Sequence, residues 1–452
     1  MAVYSIIQKS KLERAKRIDA EYYQPEYLKV AEKLASIETK TINEISESVV
    51  NFGAYSLCNY IEWQDKGVPY LNVQDIKEGH IDFSGTKFIS EKVNEILKKS
   101  KVQEGQVIIT MAGSVGNVAV AHNIPQKVNS NQATAKITLN KNFSPYFLAA
   151  FLNCYYGEKQ TKRDILSSVQ PNIFLFQIKN FKIPVVSNEK QKEVEKTYKD
   201  GLKELENSKS LYQQAEDLLL EELGLKDFET EDELSNIVNF SDVKNVNRID
   251  AEYFEKKYKK IIEKIESYKN GFVKISDEFT QNKKTTKKEK EEYNYVEIGN
   301  VNVSSGEIEF NKIEKEDLPA NAKIELKEND ILVSKVRPYR GAVGIVNSNK
   351  ENLLGSGAFT VLKEKGRIKK EVLVALLKTK TYKELILRDN VGTSYPVIKD
   401  ENVLNLQIPL LPKQTQEKIA DLVKKSHEAR QKSKELLEEA RTKVEKLIEG
   451  KN

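Results

Sequence analysis

The sequence predicts an α+β fold in which two tandem globular domains, each built from short twisted β-sheets with helices, are separated by two long helices that form an antiparallel coiled coil. Three observations predict it. The 452 residues contain two similar copies at a nearly constant offset, each copy carries short β-rich runs, and each ends in a long stretch with a 3.5-residue period. At about 100–200 residues per domain, this length allows two to four domains with separate cores.

The internal repeat extends along the whole chain. The hexapeptide RIDAEY occupies residues 17–22 and returns at 248–253, an offset of 231. Farther on the offset stays near 225, as where EGQVIIT at 104–110 faces ENDILVS at 328–334. One register held over so many positions indicates a tandem duplication.

The two copies differ in one surface-like segment, which accounts for the change of offset. It spans residues 51–66 in the first copy and the shorter stretch 282–292 in the second. The second segment reads NKKTTKKEKEE and is rich in lysine, whereas the first carries few charges. Because loops on a retained scaffold commonly carry recognition, we expect this segment to contribute to binding.

Each copy predicts the same order of elements. RIDAEY is followed by an amphipathic helix, predicted over 25–37 and 255–268. Runs rich in β-branched residues and bounded by turn residues then predict strands. A helix over 145–156, with its counterpart at 370–377, is followed by an Ile-Pro strand that leads into the long helix. The strands predicted in the first copy are 70–73, 81–83, 107–110, 117–121 and 135–139.

The long helices carry the clearest periodic signal. Apolar and small residues follow alternating steps of four and three, which is the seam of a coiled coil. The preserved register favours pairing of the two helices with each other. Because the segments that link them to the domains are short, we expect the pair to be antiparallel. The alternative is two independent helices, each packed on its own domain. Small seam residues such as Gly201 and Ser208 would let the backbones approach closely. The residues assigned to this coiled-coil and partner-docking seam are Val194, Tyr198, Leu205, Tyr212, Leu219, Ile419, Val423, Leu437 and Val444.

These patterns give four segments. The predicted globular domains are residues 1–187 and 225–411, and the predicted long helices are 188–224 and 412–452. A helix of about 36 residues at about 1.5 Å per residue is about 54 Å long.

Composition excludes several classes of protein. The chain has 73 Lys+Arg and 68 Asp+Glu, a formal net charge of +5, which permits a nucleic-acid partner without arguing for one. There is no run of about 18 apolar residues and no apolar signal region, so we expect neither a membrane span nor secretion. Two cysteines and three histidines are too few for a disulfide framework or a four-thiolate zinc site.

The sequence also lacks the motifs of an enzyme. We find no GxxxxGK phosphate loop, no glycine-rich dinucleotide fingerprint and no Asn/Asp-Pro-Pro-aromatic loop of an amino-methyltransferase. The three scattered histidines offer no Ser-His-Asp or Cys-His set. We therefore expect no catalytic residues, no metal site and no cofactor bound by this chain.

Two similar domains on a fixed spacer are typical of a bipartite binding protein. In each copy a hydrophobic strand ends in a polar loop, and a glycine lets the chain enter the next strand. Arginine and lysine in such loops can pair with guanine or hold phosphate, whereas asparagine and glutamine suit adenine. The alternative for each is a turn residue satisfied by its own backbone. The predicted DNA-contacting residues are Asn72, Gln74, Thr110, Ser114, Asn129, Asn131, Gln132, Lys283, Lys284, Lys287, Lys288, Lys335, Arg337, Tyr339 and Arg340.

Several segments of both copies resemble the DNA-specificity subunit of type I restriction–modification systems. The first copy has NFGAYS at 51–56, a Trp63 segment that runs into GVPYLNVQDI, and GQVIITMAGSVG at 105–116. The second has NDILVSKVRPYRGAVG at 329–344 and LQIPLLPKQTQEKI at 406–419. The resemblance covers essentially the whole chain, including the duplication and the long helices, and it adds Ser56, in the family's turn, to the DNA-contacting candidates.

The resemblance implies a function for each segment. Each globular domain would be a target recognition domain for one half of a split, asymmetric site in double-stranded DNA. The paired helices would act as a ruler and dock two methyltransferase subunits. Those partners would bring S-adenosylmethionine and adenine-N6 chemistry on a flipped base, in the cytoplasm of a prokaryote, and a motor–endonuclease subunit is a further partner that the resemblance allows. At about 3.4 Å per base pair, about 54 Å of helix limits half-site centres to about 16 base pairs apart.

Two other functions remain as alternatives. The chain could be a dimer-like scaffold that uses its domains for protein partners without DNA specificity. It could also be a stand-alone enzyme such as a nuclease, which metal-dependent cleavage by the purified chain would reveal.

Overall fold

The structure is a computed structural model that describes residues 4–15, 17–53, 55–166, 170–230, 235–391 and 395–451. The chain forms two compact units. Unit 1 comprises Met1–Leu205 with Gln431–Asn452, and unit 2 comprises Glu206–Arg430.

The helices follow the repeat. In the first copy they are α1 (Lys9–Ala15), α2 (Pro25–Ala35), α3 (Ile42–Ile45), α4 (Glu91–Ile96), α5 (Pro145–Asn153), α6 (Tyr155–Asp164), α7 (Leu175–Lys179) and α8 (Asn188–Leu223). In the second they are α9 (Phe240–Val246), α10 (Lys256–Glu266), α11 (Ile275–Glu278), α12 (Lys370–Lys378), α13 (Lys380–Leu385), α14 (Asp400–Asn405) and α15 (Lys413–Glu449).

The strands are short, as their spacing in the sequence predicts. Those of the first copy are β1 (Thr39–Thr41), β2 (Ser46–Val50), β3 (Trp63–Gln64), β4 (Val68–Leu71), β5 (Ile76–Lys77), β6 (His80–Ile81), β7 (Lys87–Ile89), β8 (Lys101–Val102), β9 (Val107–Thr110), β10 (Val118–Val120), β11 (Val128–Ser130), β12 (Thr134–Leu139) and β13 (Lys182–Pro184). Those of the second copy are β14 (Phe272–Lys274), β15 (Phe279–Gln281), β16 (Glu292–Val296), β17 (Asn311–Glu314), β18 (Ala322–Glu325), β19 (Ile331–Ser334), β20 (Val343–Ile345), β21 (Leu353–Ser356), β22 (Phe359–Glu364) and β23 (Gln407–Pro409).

Each unit contains the same two larger sheets. In unit 1 an antiparallel sheet has the order β10-β9-β12-β2, and a mixed sheet has the order β3-β7-β4-β11-β8, with β4 and β11 parallel. In unit 2 the corresponding orders are β20-β19-β22-β15 and β17-β16-β21-β18, with β16 and β21 parallel. The duplication therefore extends to strand order and pairing direction.

The variable segment occupies opposite edges of the equivalent mixed sheets. In unit 1 it forms a 3-10 turn, Tyr55–Tyr60, and then β3, which pairs with β7. In unit 2 it runs along β18, where Thr285 and Ile324 form an isolated bridge. The difference in length between the copies is accommodated here, and the order of the remaining strands is the same in both sheets.

The RIDAEY motif connects the start of each copy to a later segment of the same unit. In unit 1 Arg17 pairs with Asp19 at 2.5 Å, and the Arg163 guanidinium near the end of α6 lies 4.1 Å from the centre of the Tyr22 ring. In unit 2 Arg248 pairs with Asp250 at 2.5 Å and donates to the backbone oxygen of Asn390. The motif therefore has a structural role in both units, where it holds the start of the copy in place.

The long helices α8 and α15 run antiparallel in each unit. In unit 2 Ser208 and Ser426 meet at 3.1 Å between their hydroxyl oxygens, so small seam residues do allow a close approach. In unit 1 Lys432 pairs with Glu204 at 2.9 Å, and Lys443 donates to the hydroxyl of Thr197 at 2.8 Å. The pairing of the helices is confirmed, and the alternative of two independent surface helices is excluded.

The seam residues cannot also dock a partner, so that part of their assignment is corrected. Their side chains pack between the two helices and against the domains. A stripe of residues that pairs two helices is buried by that pairing and is not available to another protein. Tyr212 is partly buried and packs against the core of unit 2. The others, all less than a tenth exposed, are Val194, Tyr198, Leu205, Leu219, Ile419, Val423, Leu437 and Val444.

The predicted helix at 145–156 is wrong in one respect. α5 ends at Asn153, and α6 begins at Tyr155 and continues to Asp164. Apolar periodicity does not reveal this break, because α5 is apolar all round and buried at nearly every position, whereas α6 is polar.

Two glycines of unit 2 give a matched test of backbone contacts. Gly306 and Gly271 have φ of +73° and +77°, a region that costs an L-residue about 1–2 kcal/mol. A Cβ at Gly306 would lie 2.8 Å from the Val343 backbone oxygen, whereas at Gly271 nothing lies within 4 Å. We expect Gly271→Ala to destabilise unit 2 by about 1 kcal/mol and Gly306→Ala by about 2–4 kcal/mol, measured by thermal melting and by hydrogen exchange of unit 2 peptides. Equal losses would contradict the contact at Gly306.

Candidate nucleic-acid interface

Several strands of unit 1 end at one edge. The parallel strands β4 and β11 stop together, with Leu71 beside Ser130, and β12 begins beside the last residue of β9. A backbone hydrogen bond from Asn131 to Leu71 at 2.9 Å extends the mixed sheet, and one from Met111 to Ala133 at 2.7 Å extends the antiparallel sheet. Residues 131–133 connect the two sheets here. We call this the unit 1 edge, formed by residues 72–74, 111–114, 131–133 and 172.

Polar side chains are exposed along the unit 1 edge. Gln74, Ser114 and Gln132 are exposed, and Asn72 and Asn131 are half-buried. Exposed Ser56 belongs to the 3-10 turn Tyr55–Tyr60, which the Cys58 thiol connects to the Gln132 side chain at 3.7 Å. The structure therefore brings into one neighbourhood six of the predicted DNA-contacting residues, namely Ser56, Asn72, Gln74, Ser114, Asn131 and Gln132.

Two candidates of unit 1 are corrected because they are fully buried. Thr110 accepts a hydrogen bond from the Asn117 backbone N–H at 2.9 Å. Asn129 lies inside the mixed sheet, where its side-chain amide donates to Asn94 at 2.9 Å and to the Leu97 backbone oxygen at 3.2 Å. Neither side chain can contact DNA in this conformation. They position the loops that carry the exposed residues.

Unit 2 has an equivalent edge. β16 and β21 stop together, with Val296 beside Gly355, and β22 begins beside the last residue of β19. The backbone N–H of Lys335 donates to Ala358 at 2.9 Å, and that of Arg337 donates to Pro396 at 2.8 Å. We call this the unit 2 edge, formed by residues 297–299, 335–340, 357–358 and 395–397.

The charge of Lys335 is balanced by a carboxylate within the protein, so the prediction that Lys335 contacts DNA is corrected. Its ammonium lies 2.9 Å from the Asp400 carboxylate and is only 18% exposed. Burial raises the pKa of Asp400, but hydrogen bonds from Thr360 and Lys335 outweigh burial and lower the pKa below its usual value. The pair joins the loop after β19 to the start of α14.

Arg337, Tyr339 and Arg340 are exposed on the unit 2 edge. Arg337 has φ +50°, in the left-handed region that few residues with a side chain adopt. Its guanidinium carbon lies 5.3 Å from the centre of the Tyr395 ring. Arg337 and Arg340 border a recess of about 390 Å³, lined by Ile298, Gly299, Val301, Val303, Val336, Arg337, Arg340, Ala342 and Tyr395.

The lysine-rich segment of unit 2 is partly engaged with the protein. Lys284 pairs with Glu325 at 2.5 Å, and Lys288 donates to the Pro319 backbone oxygen at 3.4 Å. Lys283 and Lys287 are exposed. Because the segment runs antiparallel to β18, whose first residue lies beside Ser356, its Lys287 end is nearer the unit 2 edge.

Sequence reasoning missed two residues of these edges, Asn172 and Tyr395. Asn172 forms an isolated bridge with Ala112, and Tyr395 lines the recess of unit 2. Pro171 and Pro396 beside them are separated by the same offset of 225 residues, but this spacing does not show that the two segments return to the ends of distant strands.

Among the described residues, no group of three or more His, Cys, Asp or Glu side chains is placed to hold a metal ion. Within the same ranges, no helix combines the length and apolar character needed to span a membrane.

One family model matches the chain twice, over residues 36–216 and 263–439, and its description is the type I restriction modification DNA specificity domain. Together the two matches cover more than half of the chain and include both edges described above.

Two curated relatives are similar over shorter segments. The HindI specificity subunit of a type I restriction enzyme from Haemophilus influenzae is 34% identical over 111 residues, 24% of either chain. The EcoBI specificity subunit from Escherichia coli is 24% identical over 131 residues, 28% of this chain and 27% of the relative. The matched segment thus spans about a quarter of each relative.

Solved structures of similar description align over most of the chain. The S subunit of a type I restriction–modification system from M. genitalium covers 91% of this chain and 94% of its own, with 15% identity and a TM-score of 0.41. The HsdS subunit from Thermoanaerobacter tengcongensis covers 92% and 97%, with 12% identity and a TM-score of 0.30.

Proposed function

The chain belongs to the type I restriction–modification DNA specificity family, and on that premise we propose that it recognises a split, asymmetric sequence in double-stranded DNA, one half with each unit. The observation that carries the proposal is the presence of two topologically equivalent edges with different exposed side chains. Equivalent scaffolds allow two similar contacts with DNA, and different side chains make the two half-sites differ.

The side chains on the two edges suit DNA in different ways. The unit 1 edge presents amides and hydroxyls, of which Gln74 and Gln132 are exposed and can pair with the edge of adenine. The unit 2 edge presents Arg337, Tyr339 and Arg340, with Lys287 nearby. Arginine and lysine supply the charge that contacts with phosphate or guanine require.

In this proposal the chain contributes specificity and its partners contribute chemistry. Two methyltransferase subunits would dock on it in the cytoplasm of a prokaryote, bind S-adenosylmethionine and methylate adenine at N6, and a motor–endonuclease subunit is a further partner. The chain itself would bind no cofactor and carry out no reaction.

Two exposed apolar segments support docking of two identical partners. α1 and α9 are related by the same offset of 231 residues as the RIDAEY motifs that follow them. Ile6 and its counterpart Ile237 are 92% and 97% exposed, and Ile18 and its counterpart Ile249 are 89% and 88% exposed. Because apolar residues uncovered at the same place in both copies suit a repeated contact, we propose these segments as docking surfaces.

The adenine methylation pattern of a host tests the proposal. The chain is produced with its methyltransferase subunits in a host that lacks adenine methylation, and N6-methyladenine is mapped over the genome. We expect a split motif with two different halves and a fixed spacer. The same host with the methyltransferase subunits alone is the control and should show no such motif. A contiguous motif, or no motif, would count against the proposal.

A further inference from the structure

The recess on the unit 2 edge is lined by both apolar and cationic side chains. Ile298, Val301 and Ala342 contribute apolar lining, and Arg337 and Arg340 contribute guanidinium groups. The exposed ring of Tyr395 completes the wall. Hydrogen bonds made at an apolar surface compete less with water, so a charged donor there favours a partner with matching acceptors.

Arg337 is held ready for such a partner by its backbone and by Tyr395. A left-handed backbone is costly for arginine, and residues kept in such conformations concentrate at functional sites. The hydrogen bond from its N–H to Pro396 fixes the backbone, and the contact with Tyr395 restricts the guanidinium. Because fewer rotamers are lost on binding, a restrained arginine binds a planar partner with less entropic cost.

Arg337 and Arg340 are not paired with carboxylates in the part of the chain that the structure describes, whereas nearby Lys335 is paired with Asp400. Lys284 on the lysine-rich segment is likewise paired, with Glu325. Arg337 and Arg340 thus retain their charge for a ligand from outside.

A guanine base suits these arginines better than a phosphate does. The planar guanidinium forks match O6 and N7 of guanine in the major groove. A phosphate on the surface of DNA stays hydrated and can be held by flexible side chains such as Lys283 and Lys287, which are exposed. Resting on the proposed function, we infer that Arg337, with Arg340 beside it, recognises the guanine of a G·C pair in the half-site of unit 2.

The two units differ at the positions of these arginines. At the positions that align with Arg337 and Arg340 by the 225-residue offset, unit 1 has Ala112 and Val115. Unit 1 therefore has no arginine fork at this place on its edge, and the recognition of guanine by this means is confined to unit 2.

The test uses the complete complex of the chain with its methyltransferase subunits and two variants of Arg337. Arg337→Gly suits the left-handed backbone and removes the guanidinium, and Arg337→Lys keeps the charge but not the fork. In the methylation map we expect both variants to accept other bases at one G·C position of one half-site, with the other half unchanged. Lys283→Ala is the control for phosphate contact, and it should lower methylation evenly at all sites.

A modified base then tests the contact itself. Replacing the guanine at that position by 7-deazaguanine removes the N7 acceptor, and binding of the wild-type complex should weaken by about 10- to 100-fold in an equilibrium titration. The Arg337→Gly complex should bind both duplexes equally.

Three results would overturn the inference while leaving a split motif intact. They are a motif with no G·C pair in either half, Arg337 variants that keep the wild-type preference at every position, and an even loss of binding to all sequences. Absence of any split motif with the wild-type chain would instead overturn the proposed function, and the inference with it.

Discussion

Replacing Lys136 by methionine is expected to stabilise unit 1 by about 4 kcal/mol at pH 7. Lys136 lies on β12 and is fully buried, and burial lowers the pKa of its ammonium from 10.5 to about 7. Its Nζ donates to the Ser130 hydroxyl at 2.9 Å. Methionine has a similar length and no charge, so it fills the site without the cost of desolvating an amine.

The gain should depend on pH in a defined direction. Between about pH 7 and pH 10.5 the unfolded chain keeps the Lys136 proton that the folded chain has lost, so protons favour unfolding. The wild-type protein therefore gains stability relative to the variant as pH rises through this window, and loses it as pH falls towards 7. At pH 10 the difference should shrink to about 1 kcal/mol.

The measurement can be confined to unit 1. Trp63 is the one tryptophan of the chain, and its fluorescence during urea unfolding reports on the unit that contains it. Exposed Lys141→Met is the matched control and should leave the midpoint unchanged. In unit 2 the position that aligns with Lys136 is held by an apolar residue, the buried Val361. A destabilised Lys136→Met, or a difference that is constant between pH 7 and pH 10, would refute the explanation.

Much of the fold could be predicted because the repeat and the periodicity report on it directly. Strand β9 was predicted at its observed bounds, and α2 and β12 within two residues. The antiparallel helices followed from a seam whose register is kept in both copies. The order of strands in the sheets could not be predicted, because the parallel pair β4 and β11 joins residues about 60 positions apart that share no local pattern.

The residues of the two edges could be predicted only in part, because residue type does not show which side chains are buried or paired. Loops after β9 and β19 were expected to present side chains, and Ser114, Arg337 and Arg340 do. Residue type alone did not show that Asn129 points into the sheet, where Asn94 satisfies it. Nor did it show that Lys335 meets a carboxylate 65 residues away, at Asp400. Burial and long-range pairing decide which polar residues remain available, and both depend on the tertiary fold.

Removing one heptad from each long helix is expected to shorten the DNA spacer by about 3 base pairs. Seven residues correspond to about 10.5 Å of helix, and a base pair to about 3.4 Å. The antiparallel contact of Ser208 with Ser426 places residues 206–212 of α8 opposite residues 422–428 of α15. Deleting both segments keeps the alternating steps of four and three, so the seam should still pair.

The result is read from the methylation map of the complete complex, in which the two half-sites should stay the same while the spacer becomes shorter. A control variant keeps all residues but replaces both heptads by another sequence with the same seam residues, and its spacer should be unchanged. Loss of methylation by the shortened variant alone would agree with a spacer set by the helices, because a change of about 3 base pairs also rotates one half-site around the DNA by about a quarter turn. A normal spacer in the shortened variant would show that something other than the helices fixes the distance between the half-sites.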